Sequence, residues 1–221
     1  MMRRMRNAWW YAGVVAMVGV AAGYVSPVPA MADTMEQLAA PKEGRSMRAT
    51  STARLKGKPD ECDPNSNSDN RTIKPGQTHV LMDEKGPGAI THIWVTFLGP
   101  EPQNWAPQGA ANHQEMLLRI FYDGDERPGV EAPVGDFFAN CFGERRSVVS
   151  IPVIVEDADS YNCFWRMPFR KSCRVEITNQ SEDKNIALLY YNIDWVKLDR
   201  LSEDTPYFYA QYKQEYPVEQ G

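Results

Sequence analysis

The side chains that could do chemistry here are spaced oxygen ligands, histidines and cysteines, clustered carboxylates, and aromatic rings beside hydrogen-bonding groups. The segment DPNSNSD sets Asp63, Asn65, Asn67 and Asp69 at alternate positions, as a calcium loop begins. Ser68 then stands where the sharp-turn glycine belongs, and Lys74 where a bidentate glutamate belongs. A solvated, Asx-rich loop is the better reading, because Asn and Asp cap turns on their own. His79, His92 and His113 share no ligand spacing, and the first two read as ordinary polar neighbours on or beside strands. No metal or other cofactor is expected. A nucleophile elbow of the G-x-S-x-G kind is absent, and no cysteine has an obvious histidine partner. Cys141 reads as a buried inert thiol or half of a disulfide.

Carboxylates are plentiful. A glycosidic bond is cut by an acid paired with a base or nucleophile across the sugar, about 5 to 9.5 Å apart. YDGDERP offers Asp123, Asp125 and Glu126, and EDADSYN offers Glu156, Asp157 and Asp159. Both runs carry turn signals, where neighbouring carboxylates are normally solvated. Neither provides an apolar setting that would raise a carboxyl pKa for acid catalysis.

An aromatic and polar rim remains. VEAPVGDFFANCFG breaks a strand-like run at Gly135-Asp136 and then presents Phe137 and Phe138. YNCFWR adds Trp165 and Arg166, and the long connection GPEPQNWAPQGAANH adds Trp105. Flat apolar faces beside hydrogen-bonding groups suit sugars, and they equally suit a subunit interface or a core. For Trp105 the core is the leading reading.

The elements that must position these groups are strands. THVLMD, AITHIWVTFL, EMLLRIFYD, SVVSIPVIV, YNCFWRM, CRVEITN and IALLYYNIDWVKL are rich in β-branched and aromatic residues and bounded by Gly, Pro, Asn or Asp. Cys173, Val175 and Ile177 alternate with Arg174, Glu176 and Thr178, so that strand should have one wet face. No helical period and no internal repeat appears beyond the N-terminal segment. The reading is an all-β, jelly-roll-like sandwich over residues 78–221 with a C-terminal tail. Before it, residues 33–77 are polar and read as an irregular arm. Residues 1–32 read as a signal peptide: Arg3, Arg4 and Arg6, an uncharged run, a Ser26-Pro27 break and an Ala30-Met31-Ala32 cleavage site. Export to a bacterial periplasm or the medium is expected, with a membrane involved only if the signal stays uncleaved. The formal net charge is −5, with no basic stripe, which argues against nucleic acid as a partner. The four cysteines are too few for a disulfide scaffold and form no C-x-x-C pair, although one or two bridges are open to them.

Four stretches carry a family resemblance: PGQTHVLMDEKGPGAITHIWVTF, LLRIFYDGDERPGVEAPVGDFFA, YNCFWRMPFRKSCRVEITNQ and PYFYAQYKQEYPV. Together they resemble glycoside hydrolase family 172, also known as the domain-of-unknown-function family 2961. The resemblance implies tandem jelly rolls assembled as trimers or hexamers. It implies retaining chemistry on fructofuranosides or arabinofuranosides, using two glutamates of the second jelly roll, in E-G-D-E and G-T-E-D-Y-F segments. This chain has no G-T-E-D-Y-F, and its YDGDE run occupies a different family position. No residue inherits a catalytic role, so the expectation is the N-terminal half of a furanosidase, inactive alone and completed by a second half or by other subunits. The competing expectation is a non-catalytic jelly roll that binds carbohydrate or builds an oligomer. On either expectation the binding residues are Asp136, Phe137, Phe138, Trp165, Arg166 and Trp105. For the Gly-Asp-Phe-Phe element two readings stand: Asp136 binds a hydroxyl while a Phe forms a wall, or Asp136 caps a turn and both rings are core.

Overall fold

A computed structural model describes residues 43–215, apart from 53, 56, 57 and 63–68, together with residue 217. The segment read as a signal peptide and the residues Asp63, Asn65 and Asn67 lie outside the described residues. The strands in chain order are β1 (Arg45–Thr50), β2 (Arg54–Leu55), β3 (Lys58–Cys62), β4 (Arg71–Ile73), β5 (Thr78–Lys85), β6 (Gly88–Thr96), β7 (Met116–Tyr122) and β8 (Val130–Pro133). One helical turn, α1 (Val134–Phe137), follows. Then come β9 (Val148–Val149), β10 (Val153–Glu156), β11 (Ser160–Cys163), β12 (Met167–Phe169), β13 (Ser172–Asn179), β14 (Ile186–Lys197) and β15 (Ala210–Gln211).

These strands form two main sheets. The larger runs β1-β14-β6-β11-β10-β9, with β12 also pairing β6 and β4 also pairing β14. The smaller runs β15-β8-β7-β13-β5. Inward residues of both sheets share one core: Ile90, Ile93 and Trp195 from the first pack in the same cluster as Leu118, Ile120 and Val175 from the second. The chain passes repeatedly from one sheet to the other, as a jelly roll wraps. The all-β sandwich expected from the sequence is therefore the fold.

The stretch read as an irregular arm is only partly irregular. Arg45–Thr50 pairs antiparallel with β14 from Arg45↔Lys197 to Thr50↔Asn192, and Arg71–Ile73 pairs with the start of β14. These two strands belong to the sandwich, which among the described residues therefore starts before residue 78. Charged RSMRAT gave no strand signal because it lies at a sheet edge, where one side faces water and Arg48 reaches Asp194 instead of a core.

On β13 the alternation holds with one exception. Cys173, Val175 and Ile177 are buried and Arg174 is exposed, but Glu176 is buried as well. The register with β5 shifts between Val175 and Glu176. The extra residue is Leu81 on β5, while β13 runs unbroken against β7. Glu176 therefore stays on the face of Arg174, which covers it and donates to it at 3.1 Å. Cys141, Cys163 and Cys173 are free thiols.

In the DGDE turn Asp125 and Glu126 are exposed to solvent as expected, but Asp123 is structural. Asp123 adopts a left-handed φ of 58°. Its Oδ1 accepts the backbone N–H groups of Arg170, Lys171 and Ser172 at 3.0, 2.6 and 3.2 Å. The Tyr207 hydroxyl donates to Oδ2. Burial opposes ionisation, but these four donors outweigh it and hold the carboxyl below the usual range. Arg170 completes the clasp by donating to the carbonyls of Ser202, Glu203 and Thr205 while its guanidinium lies 4.7 Å over the Tyr207 ring. The tail from Ser202 to β15 is thereby strapped to the sandwich. Asp123→Ala should cost about 2 kcal/mol in chemical denaturation, because three backbone donors lose a charged acceptor. Hydrogen exchange at Tyr207–Gln211 should rise with it; unchanged protection there would show that the tail is held by its rings alone.

Candidate functional site

The Gly-Asp-Phe-Phe element is one turn of helix at the end of β8. Phe138 N–H bonds to the Val134 carbonyl at 3.1 Å, and Asn140 N–H to the Gly135 carbonyl at 2.7 Å. Gly135 is required here. A Cβ on it would lie 2.7 Å from the Asn140 carbonyl oxygen and 2.8 Å from the His113 ring. Buried Asn140 then clamps the following loop: its Nδ2 donates to the Arg146 carbonyl at 2.8 Å, and its Oδ1 accepts the Arg146 N–H at 2.6 Å.

The turn separates the roles of its residues. Phe138 is core, 1% exposed, with its ring edge-on to Tyr161 at 5.6 Å. It lines no surface, which overturns its expected place in a binding wall. Phe137 is half-buried against the core and meets Phe138 edge to face at 5.0 Å. Asp136 lines an open groove of about 970 Å³ whose other polar walls include Gln114, Arg119, Glu131, Gln180 and Tyr212. Its Oδ2 is buried without a hydrogen-bond partner. Buried acceptors are normally paired, so this oxygen is an unmet acceptor beside the groove, which a hydroxyl reaches only if the side chain turns outward.

The sheet builds the groove. Arg119 on β7 sits opposite Glu131 on β8 and donates to it from Nε at 2.7 Å. Gln180 at the end of β13 is fixed by its N–H to the Glu115 carbonyl at 2.7 Å. Tyr212 is brought in by the parallel pairing of β15 with β8, its N–H on the Glu131 carbonyl at 2.9 Å. Cys141 is exposed, not buried as expected. Partial desolvation and the nearby Asp136 carboxylate push its pKa up. It is a poor nucleophile and a hydrogen-bond donor.

Behind the groove lies an unanticipated buried cluster. His113 is fully buried, with Nδ1 2.9 Å from the Tyr161 hydroxyl. Arg145 Nε also reaches that hydroxyl at 3.4 Å. Burial chiefly, and Arg145 next, hold His113 down at about 4, so it is neutral at pH 7. The role of His113 had no signal in sequence because its partners come from distant strands and loops.

The other expected site residues do not converge on this groove. Arg166, in the β11–β12 connection, lines a different groove with Thr91 and Arg200. Half-exposed Trp165 packs on Phe208 of the tail at 5.7 Å. Trp105 is 78% exposed and lines neither groove. Its loop does not bury it in the core, the leading sequence reading. The loop is fastened at its base instead, by Ala110 N–H to the Gly99 carbonyl at 3.1 Å and Ala111 N–H to the Asn185 carbonyl at 2.9 Å. The small alanines Ala110 and Ala111 are the buried part, and the tryptophan tip stands out.

Histidines on the strands take polar-neighbour roles. His92 joins Asp194 (3.2 Å) to Asn162 (3.1 Å) across the outer face of the larger sheet and stacks on Phe164 with ring centroids 4.6 Å apart. His79 lies 3.5 Å from the Tyr191 hydroxyl.

Residues 63–188 match a protein-family model described as GH172 domain-like, a span of more than half of the 221-residue chain. No curated protein matches the chain.

Proposed function

Because this chain belongs to the GH172 domain-like family, we propose that it is the sugar-binding sandwich of an exported, furanosidase-like glycoside hydrolase. Its ligands are fructofuranosides or arabinofuranosides, and the sandwich holds them without cleaving them by itself. The observation that carries this reading is the groove that Asp136 lines together with amide, hydroxyl and guanidinium groups. Such a lining exchanges hydrogen bonds with sugar hydroxyls at little cost in desolvation. Cleavage with retention needs two carboxyls about 5 to 5.5 Å apart, one of them held protonated. Glu131 in the groove is occupied by Arg119. Burial raises the pKa of Glu84, but Glu84 lies on β5 and does not line the groove.

Calorimetric titration of the full chain with fructofuranosyl and arabinofuranosyl oligosaccharides tests the reading. Binding is expected, and Asp136→Ala should weaken it at least tenfold, about 1.4 kcal/mol, with an unchanged melting temperature. Wild-type affinity in that variant would remove the groove from sugar binding. Release of the aryl alcohol from an aryl furanoside by the chain alone would sink the non-catalytic part.

A subunit-forming role is the second reading, favoured by one observation. Phe142, Val149 and Ile151 are 92%, 88% and 96% exposed around the short edge strand β9. Apolar side chains on an unpaired edge mark a surface that another chain covers. We propose a trimer or hexamer of this chain. Sedimentation of the same preparation should give more than the monomer mass, and a monomer at tens of micromolar would refute it.

A further inference from the structure

The outer face of the larger sheet carries a second groove, of about 940 Å³, distant in composition from the first. Its centre is a bulge. In the pairing of β14 with β6, Asp194 faces His92 and Trp195 faces Ile90, so Thr91 is left without a partner. The extra residue brings Thr91 and His92 to partly exposed positions side by side, where strict alternation would bury one of them. Thr91 Oγ1 donates to the Asp194 carbonyl at 3.1 Å, so the hydroxyl oxygen keeps its lone pairs at the groove.

Two arginines enter this groove, Arg166 from the β11–β12 connection and Arg200 from the segment after β14. Neither guanidinium makes an ion pair or a hydrogen bond among the described residues. The other arginines placed near carboxylates do: Arg48 with Asp194, Arg119 with Glu131, Arg145 with Asp159, Arg146 with Glu144 and Arg174 with Glu176. Glu43 is the single carboxylate in the lining, and it pairs with neither arginine. The groove thus gathers positive charge in a chain whose net charge is −5. Its floor is apolar, formed by Val196, Leu198 and Leu201, which strengthens the field that the two cations set up.

The backbone presenting Arg200 and Ser202 is held in place beforehand. Arg170 donates to the Ser202, Glu203 and Thr205 carbonyls at 3.0, 2.6 and 2.9 Å. A ligand would therefore not have to order that segment on binding.

We infer that this groove is an oxyanion-binding site. Arg166 and Arg200 take a carboxylate or sulfate group through charge-assisted hydrogen bonds, with the Ser202 hydroxyl free to donate beside them. Thr91, its proton already given to the Asp194 carbonyl, can only accept from a sugar hydroxyl. The oxyanion is either free or carried on a sugar acid, whose ring would extend towards half-exposed Trp165. The inference is independent of the furanoside reading, since it uses a different groove and none of the groove-lining residues of the first.

The test titrates the full chain with sodium sulfate, glucuronate and neutral glucose at low ionic strength. Sulfate and glucuronate should bind and glucose should not at equal concentration. Arg166→Gln and Arg200→Gln should each weaken anion binding about tenfold. Arg127→Gln removes an exposed cation elsewhere on the surface and should leave the affinity unchanged. Tighter binding of glucuronate than of sulfate identifies the sugar-borne source, and the reverse identifies a free anion; both support the site. Wild-type anion affinity in the Arg166→Gln, Arg200→Gln double variant overturns it, as does the absence of anion binding by the wild type. Melting curves of the two exposed-arginine variants check that the sandwich is intact.

Discussion

Phe138→Ala should cost about 3 to 5 kcal/mol of folding stability, the range for deleting a fully buried phenylalanine ring. The ring is 1% exposed and sits edge-on to both Phe137 and Tyr161, with centroids 5.0 and 5.6 Å away. Its removal leaves a cavity beneath α1 that the short turn cannot collapse to fill, because Gly135 is already in contact with His113 and Asn140. Phe137→Ala should cost clearly less, since that ring is only half-buried. Urea unfolding of the two variants checks both, and Phe138→Leu should recover most of the loss. If Phe138→Ala left stability within 1 kcal/mol of wild type but abolished furanoside binding, the ring would belong to a ligand wall and not to the core.

Acid should destabilise the sandwich by about 3 kcal/mol between pH 6.5 and pH 4 through His113 alone. An unfolded histidine titrates near 6.5, whereas burial and Arg145 hold folded His113 at about 4. Within that window the unfolded chain takes up the proton and the folded chain does not. Stability is therefore complete above about 6.5, falls by up to roughly 1.4 kcal/mol per pH unit as pH drops, and levels off near 4. Asp123 and Asp194 act in a separate window. Burial opposes their ionisation, but their hydrogen bonds hold both carboxyls below the usual range. Their contribution is present above the ordinary carboxylate value and lost as pH falls through the folded one, below about 4. Urea midpoints of wild type and His113→Gln from pH 7 to 4 isolate the histidine. The variant should show a much shallower decline, and parallel curves would rule out His113 as the source.

The strands were legible in the sequence where burial imposed alternation or an apolar run. AITHIWVTF and IALLYYNIDWVK each became a long central strand, because a buried strand cannot avoid β-branched and aromatic residues. Charged or very short edge strands were not legible, although β5, also at an edge, was. RSMRAT pairs on one side only, so nothing forces its side chains to be apolar. Likewise Ala210–Gln211 is too short to carry a period. The YDGDE turn was read from Asp123-Gly124, but its clasp on Tyr207 and three backbone N–H groups joins segments far apart in the chain.

The candidate site divides in the same way. Residue types in order fixed the family and the all-β class, since long motifs and strand composition are local properties of the chain. Whether a given ring or carboxylate faces water was decided only by tertiary packing. Adjacent Phe137 and Phe138 differ because a helical turn swings neighbours about 100° apart, sending one ring into the core and leaving the other at its margin. Trp105 stands out while Ala110 and Ala111, at the base of its loop, are buried and tied by backbone bonds to Gly99 and Asn185. Asp136 gained its buried oxygen from the turn packed at the end of β8. Arg166 gained its unpaired neighbour Arg200 from the pairing of β12 and β14 with β6, which brings together segments far apart in the chain.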